Sequence, residues 1–155
     1  MVCPGLIGEV MDIQLVNYFQ DEVSKAMAFL VNEYSFAPPK LEIDDEIAFI
    51  KIIYMGKNLA IEFVLDEREE DIDCKVVRVL EGKKAIAYAV DEKGDRVRDS
   101  LAAILQRHGV RDRLFQRITG LSFKDSIRVT LSDFGSMLKK HGKDILCDTP
   151  DVLSG

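Results

Sequence analysis

The sequence predicts an α+β fold, a two-layer body with a four-stranded antiparallel meander packed against an N-terminal helix and C-terminal helices. Two observations carry this. Apolar residues recur every three or four positions in the first third, follow strand-like spacing through the middle, and regain helical spacing in the last third. The middle segments are joined by connections too short for a crossover, so sequential neighbours must run antiparallel.

The first helix is expected from about Asp12 to Tyr34, where Val16, Phe19, Val23, Met27, Leu30 and Tyr34 share one face. Ala37-Pro38-Pro39 should end it, because proline cannot continue the hydrogen-bond ladder and restricts the residue before it. Glu46 to Tyr54 is isoleucine-rich and apolar on nearly both faces, which suggests a well-covered strand. After a turn at Gly56-Lys57-Asn58, Leu59, Ile61, Phe63 and Leu65 alternate with Glu62 and Asp66 on the opposite face. A charged turn follows, then a third strand from Ile72 to Leu80, with a bulge expected near Val76-Val77. Glu81-Gly82-Lys83 turns the chain into a fourth strand, Ala85 to Val90.

In the last third, Asp95 is placed to cap a helix carrying Val97, Leu101, Ile104, Leu105 and His108, with Gly109 ending it. A short helical stretch bears Leu114, Phe115 and Ile118. Ser122 with Asp125 resembles a capping box for the final helix, which buries Ile127, Leu131, Phe134 and Leu138 and stops at Gly142. The first and last helices should cover the same sheet face. Residues 1–11 read as a flexible leader, 12–142 as a single domain and 143–155 as a C-terminal tail.

The chain has 155 residues and a formal net charge of -6, a sign that argues against nucleic acid as the main partner and permits a basic protein partner. Residues 1–95 hold 20 acids and 10 bases, whereas residues 96–155 hold 7 acids and 11 bases. Cys3, Cys74 and Cys147 are few and far apart, with no CxxC pair, so neither a disulfide framework nor a zinc site is expected. Reduced thiols suit a cytoplasmic protein. No apolar run is long enough to span a membrane.

The sequence contains no phosphate loop, dinucleotide fingerprint or nucleophile elbow. No catalytic residue, metal or cofactor is therefore expected. His108 reads as a cap or packed side chain, and His141 beside Lys139 and Lys140 as a cation complementing a helix C-terminus. The most unusual local feature is the run Asp66, Glu67, Glu69, Glu70, Asp71 and Asp73, with Arg68 its only cation. It lacks the glycine and ligand ladder of a calcium loop. It could dock a basic partner, or it could be a solvated hairpin tip that discourages edge pairing. Arg107, Arg111, Arg113 and Arg117 form a basic set around a turn and invite a helix-turn-helix reading, but the second helix is short. Ala85, Ala87 and Ala89 make a small-residue stripe that would let a helix approach the sheet, or floor a pocket with Tyr54, Tyr88 and His108 as its polar groups.

An amphipathic helix ending in Asn32-Glu33-Tyr34-Ser35-Phe36, a curved meander with the acidic hairpin Leu65-Asp66-Glu67-Arg68-Glu69, and closing helices together resemble small bacterial toxin-immunity proteins over residues 12–120. That resemblance implies an acidic face that plugs a basic toxin site; it brings no catalytic residues. The expected function is a non-enzymatic protein-interaction module. A small-ligand or enzymatic pocket, and a nucleic-acid regulator using the C-terminal arginines, are the rivals. A meander also leaves two sheet edges, and one could pair across a homodimer axis.

Overall fold

The computed structural model describes residues 12–44, 46–84, 90–111 and 120–154. The leader, the fourth predicted strand as far as residue 89, and the short helical stretch near residue 115 lie outside them.

Asp12 caps helix α1 (Ile13–Ala26), its carboxylate accepting from the Gln14 amide at 2.9 Å. The predicted single helix breaks at Met27, where φ is -110° and ψ 15°, and resumes as α2 (Ala28–Asn32). Val16, Phe19, Val23, Met27 and Leu30 are buried as expected, but Tyr34 is exposed. The helix ends before the prolines. Ser35 takes a left-handed φ of 63°, and the Phe36 amide donates back to the Leu30 carbonyl at 3.0 Å. This closing bond satisfies an otherwise orphaned carbonyl and swings Phe36 into the core.

The sheet has one strand more than the four predicted before the chain turns into helices, and a sixth at its far side. Strands β1 (Lys40–Asp44), β2 (Phe49–Met55), β3 (Leu59–Asp66), β4 (Asp71–Leu80) and β5 (Lys83–Lys84) follow in meander order, and β6 (Arg98–Ser100) also pairs with β4. The β3–β4 register runs unbroken from Leu59↔Arg78 to Asp66↔Asp71. There is thus no bulge at Val76-Val77: both valines are buried, on opposite faces, because this part of the sheet is covered on both sides. Glu81 and Gly82, with φ of 54° and 77°, make the tight β4–β5 turn whose twist suits a hairpin.

Asp95 does not cap the next helix. Residues 98–100 are spent on β6, and the cap is Ser100, whose hydroxyl accepts from the Ala103 amide at 3.1 Å ahead of α3 (Leu101–Arg107). Gly109, with φ of 85°, ends it as predicted. Ser122 caps α4 (Phe123–His141) by accepting from the Asp125 amide at 3.2 Å. Ile127, Leu131, Phe134 and Leu138 are buried. α1 and α4 share one large core with the inner sheet residues Ile52, Tyr54, Ile61, Phe63 and Val76. Gly135 on α4 faces the end of α1, where a Cβ would meet the Ala26 carbonyl at 3.6 Å, an ordinary contact.

The segment read as a tail is packed. α5 (Lys143–Leu146) and a final 3-10 turn (Pro150–Ser154) place Ile145, Leu146, Val152 and Leu153 in the main core. Between them Asp148 accepts hydrogen bonds from the backbone amides of Lys57, Asn58 and Leu59, the last at 2.7 Å. A Cβ on Gly56 would sit 2.6 Å from the Leu59 carbonyl and 2.9 Å from both Asp148 and Phe36. Gly56→Ala is expected to lower stability by about 1–3 kcal/mol, since backbone on one side prevents relief; a urea midpoint shift would measure it.

Candidate functional site

β1–β2 and β3–β4 turn at the same end of the sheet, and the two tips are built alike. The Asp44 carboxylate accepts from the amides of Glu46 (3.1 Å) and Ile47 (3.3 Å). The Asp66 carboxylate accepts from Arg68 (3.0 Å) and Glu69 (3.2 Å). Aspartate suits both places because its short side chain can imitate a turn of backbone. Each tip returns through a left-handed residue four positions on, Ala48 (φ 57°) and Glu70 (φ 50°). The Glu67 amide donates to the Ala48 carbonyl at 3.1 Å, and the Arg68 guanidinium to the Glu46 carbonyl at 2.8 Å, so the tips are fastened side by side.

The predicted acidic run thus belongs to a larger acidic end. Asp44, Glu46, Asp66, Glu67, Glu69, Glu70 and Asp71 are gathered there, and Asp66 stands directly opposite Asp71. Like charges so placed repel. Glu69, Glu70 and Asp71 are exposed, whereas Asp66 is engaged in its turn. Asp73 is half-buried and bonded to the Cys74 amide; burial raises its pKa, only partly offset by that bond and by Lys75. It contributes less to the outward face than its neighbours in sequence. Among the described residues, no three His, Cys, Asp or Glu side chains are grouped to hold a metal ion. The Asp44–Glu46 part was missed in the sequence because β1 was not recognised; the alternation Lys40-Leu41-Glu42-Ile43-Asp44 was the available signal.

The opposite sheet face holds a second cluster of ionised groups. Glu62 is fully buried, the only such charged side chain among the described residues. Its carboxylate meets Arg98 at 2.5 Å and Lys84 at 2.6 Å. Lys84 also reaches Glu42 on β1, at 3.5 Å. A flat sheet would set β1 and β5 roughly 19 Å apart, at about 4.8 Å per strand. One Lys–Glu pair joining those strands therefore marks a strongly curled sheet, a half-barrel with Glu62 inside. Ile53 pairs with it across β2 and belongs to a small apolar cluster with Ala60, Val77 and Val79. Burial pushes the Glu62 pKa up, but the hydrogen bonds and charges of Lys84 and Arg98 outweigh it, and the carboxyl is held below its ordinary value. A carboxylate so stabilised as an anion is poorly suited to proton transfer near neutrality. Its role is to tie strands together.

No family model, curated protein or solved structure matches this chain. Of the predicted pocket groups, Tyr54 lies in the main core, edge-on to Phe63 at 6.0 Å, and burial raises its pKa to about 12. Tyr88 lies outside the described residues. His108 is exposed at the end of α3, with Nε2 3.3 Å from the Val152 carbonyl. Of the basic set, Arg107 is paired with Asp99, and Arg111 is exposed just past Gly109. Arg113 and Arg117 lie outside the described residues. No helix among the described residues is long and apolar enough to cross a membrane.

Proposed function

We propose that this protein is a non-catalytic binding module that docks a basic protein surface through the acidic end formed by the β1–β2 and β3–β4 tips. The supporting observation is the fastening of two like-built tips, which holds exposed carboxylates in fixed positions with Arg68 bonded sideways into backbone. Holding like charges together costs stability, and an incoming cationic surface relieves that cost. Rigid, preorganised charge mainly accelerates encounter and sharpens salt dependence. The resemblance to immunity proteins points to the same use, a plug for a cationic site.

The test compares wild type with a Glu67→Lys, Glu69→Lys, Glu70→Lys variant and a control, Asp91→Asn, Glu92→Gln, Asp95→Asn, in a loop on another part of the surface. Each is used to capture proteins from the native host. A basic protein should be retained by wild type and control and lost from the tip variant. With that partner purified, tip reversal should slow association by about 10- to 100-fold at low salt and less at high salt. Capture of nothing, or retention indifferent to tip reversal, would overturn the proposal.

A further inference from the structure

We infer that β1 is a self-pairing edge, and that two copies of this chain join antiparallel about a two-fold axis through Glu42. Among the described residues, the strand order leaves β1 with one edge unpaired. All five of its residues are exposed, including Leu41 at 38% and Ile43 at 41%. Open edges are normally short, charged or covered, and apolar side chains along one call for an occupant.

The strand is complementary to itself. Pairing about Glu42 sets Lys40 against Asp44 of the second copy and Leu41 against Ile43, each twice. Both sets keep to their own faces. Leu41 and Ile43 pair with Ile52 and Ile50 across β2, on the side of the main core, so the new apolar contacts would extend that core. The two Glu42 side chains at the axis are the one repulsive pair. Each has Lys51 directly opposite on β2 and Lys84 at 3.5 Å, so positive charge is already in place.

Other registers are worse. A two-residue slip one way pairs Glu42 with Asp44 twice. A slip the other way pairs Lys40 with Glu42 twice but leaves Asp44 without a cation, and it places Ile43 against Pro39, which has no amide to donate. The occupant that satisfies the edge, both charges and both apolar residues is therefore a second copy rather than an unrelated extended segment. Paired this way, the two acidic ends would point in opposite directions. The inference does not rest on the proposed acidic-end function.

Sedimentation of the full chain tests it, with cysteine trapping to fix the register. Directly paired residues lie about 4.5–5.5 Å apart at Cα, within disulfide range. In a Cys3→Ser, Cys147→Ser background, Glu42→Cys should give a covalent dimer on mild oxidation. Leu41→Cys should not, because its own copy lies two residues out of register. Ile43→Lys should weaken the wild-type dimer at least about tenfold while leaving the circular dichroism unchanged. The Glu67→Lys, Glu69→Lys, Glu70→Lys variant should stay dimeric, which separates this result from that of the acidic end. A wild-type chain that stays monomeric, a dimer that Glu42→Cys fails to trap, or equal trapping by Leu41→Cys would overturn the inference.

Discussion

Replacing Glu62 with alanine is expected to lower the unfolding free energy by about 3 kcal/mol, at the lower end of what removing one partner from a buried ion cluster costs. The lower end applies because the Lys84 and Arg98 side chains keep 19% and 12% exposure and can recover some hydration. Glu62→Gln should lose less, since it retains hydrogen-bonding atoms. Replacing the whole cluster, with Glu62→Leu, Lys84→Met and Arg98→Met together, should restore much of the loss, because no buried charge is left unpaired and Glu42 is exposed. Urea denaturation of the three variants would measure this. A loss under about 1 kcal/mol for Glu62→Ala would show that the curled sheet does not depend on the cluster.

The same carboxylate sets a pH dependence. The folded-state pKa of Glu62 lies below its ordinary 4.5. Its contribution to stability is therefore fully present above the unfolded pKa and is lost as pH falls below 4.5 through the depressed folded value. Acid titration of wild type should show a steeper loss there than titration of the Leu–Met–Met variant. Asp73 has the opposite sign: its pKa is raised, so its ionisation weakens the fold as pH climbs through the carboxylate range.

Asp148→Ala is expected to cost about 3 kcal/mol. The carboxylate accepts from the amides of Lys57, Asn58 and Leu59, and hydrogen bonds to a charged acceptor contribute about 1.5–3 kcal/mol each when buried. Lys57 is exposed and can turn to water, so the sum is not realised. Asp148→Asn keeps one acceptor oxygen and tolerates the left-handed backbone at this position, where φ is 61°, so it should lose roughly half as much. Hydrogen exchange would check the mechanism: the Leu59 amide should lose protection in Asp148→Ala well beyond any global change. Unaltered protection would show that the clamp is not what holds this turn.

The parts of the fold legible in the sequence were those with a repeating period. The stripes of α1 and α4, the alternation of β3, and the cap at Ser122 depend on neighbours close in the chain. What could not be read depended on distant ones. Glu62 alternates like any surface residue, and only the curling of the sheet brings Lys84 and Arg98 over it. Val76 and Val77 look like a bulge because a sheet covered on both faces does not alternate. The segment beyond Gly142 has too few apolar residues to show a period, yet Ile145, Leu146, Val152 and Leu153 are all core. For the acidic end, the β3–β4 run stood out by composition, whereas its β1–β2 companion became visible only once the tips were side by side.

The clamp at Asp148 bears on how the molecule comes into being. A ribosome releases Leu59 89 residues before it releases Asp148. Until then the amides of that hairpin turn have no carboxylate to receive them. Over those 89 residues the nascent chain carries an unfinished turn, and the distance to be closed makes final assembly slow relative to a bundle of local contacts. The interval of greatest exposure to chaperones and to aggregation therefore lasts until Asp148 and the core residues around it, Ile145, Leu146, Val152 and Leu153, have been made.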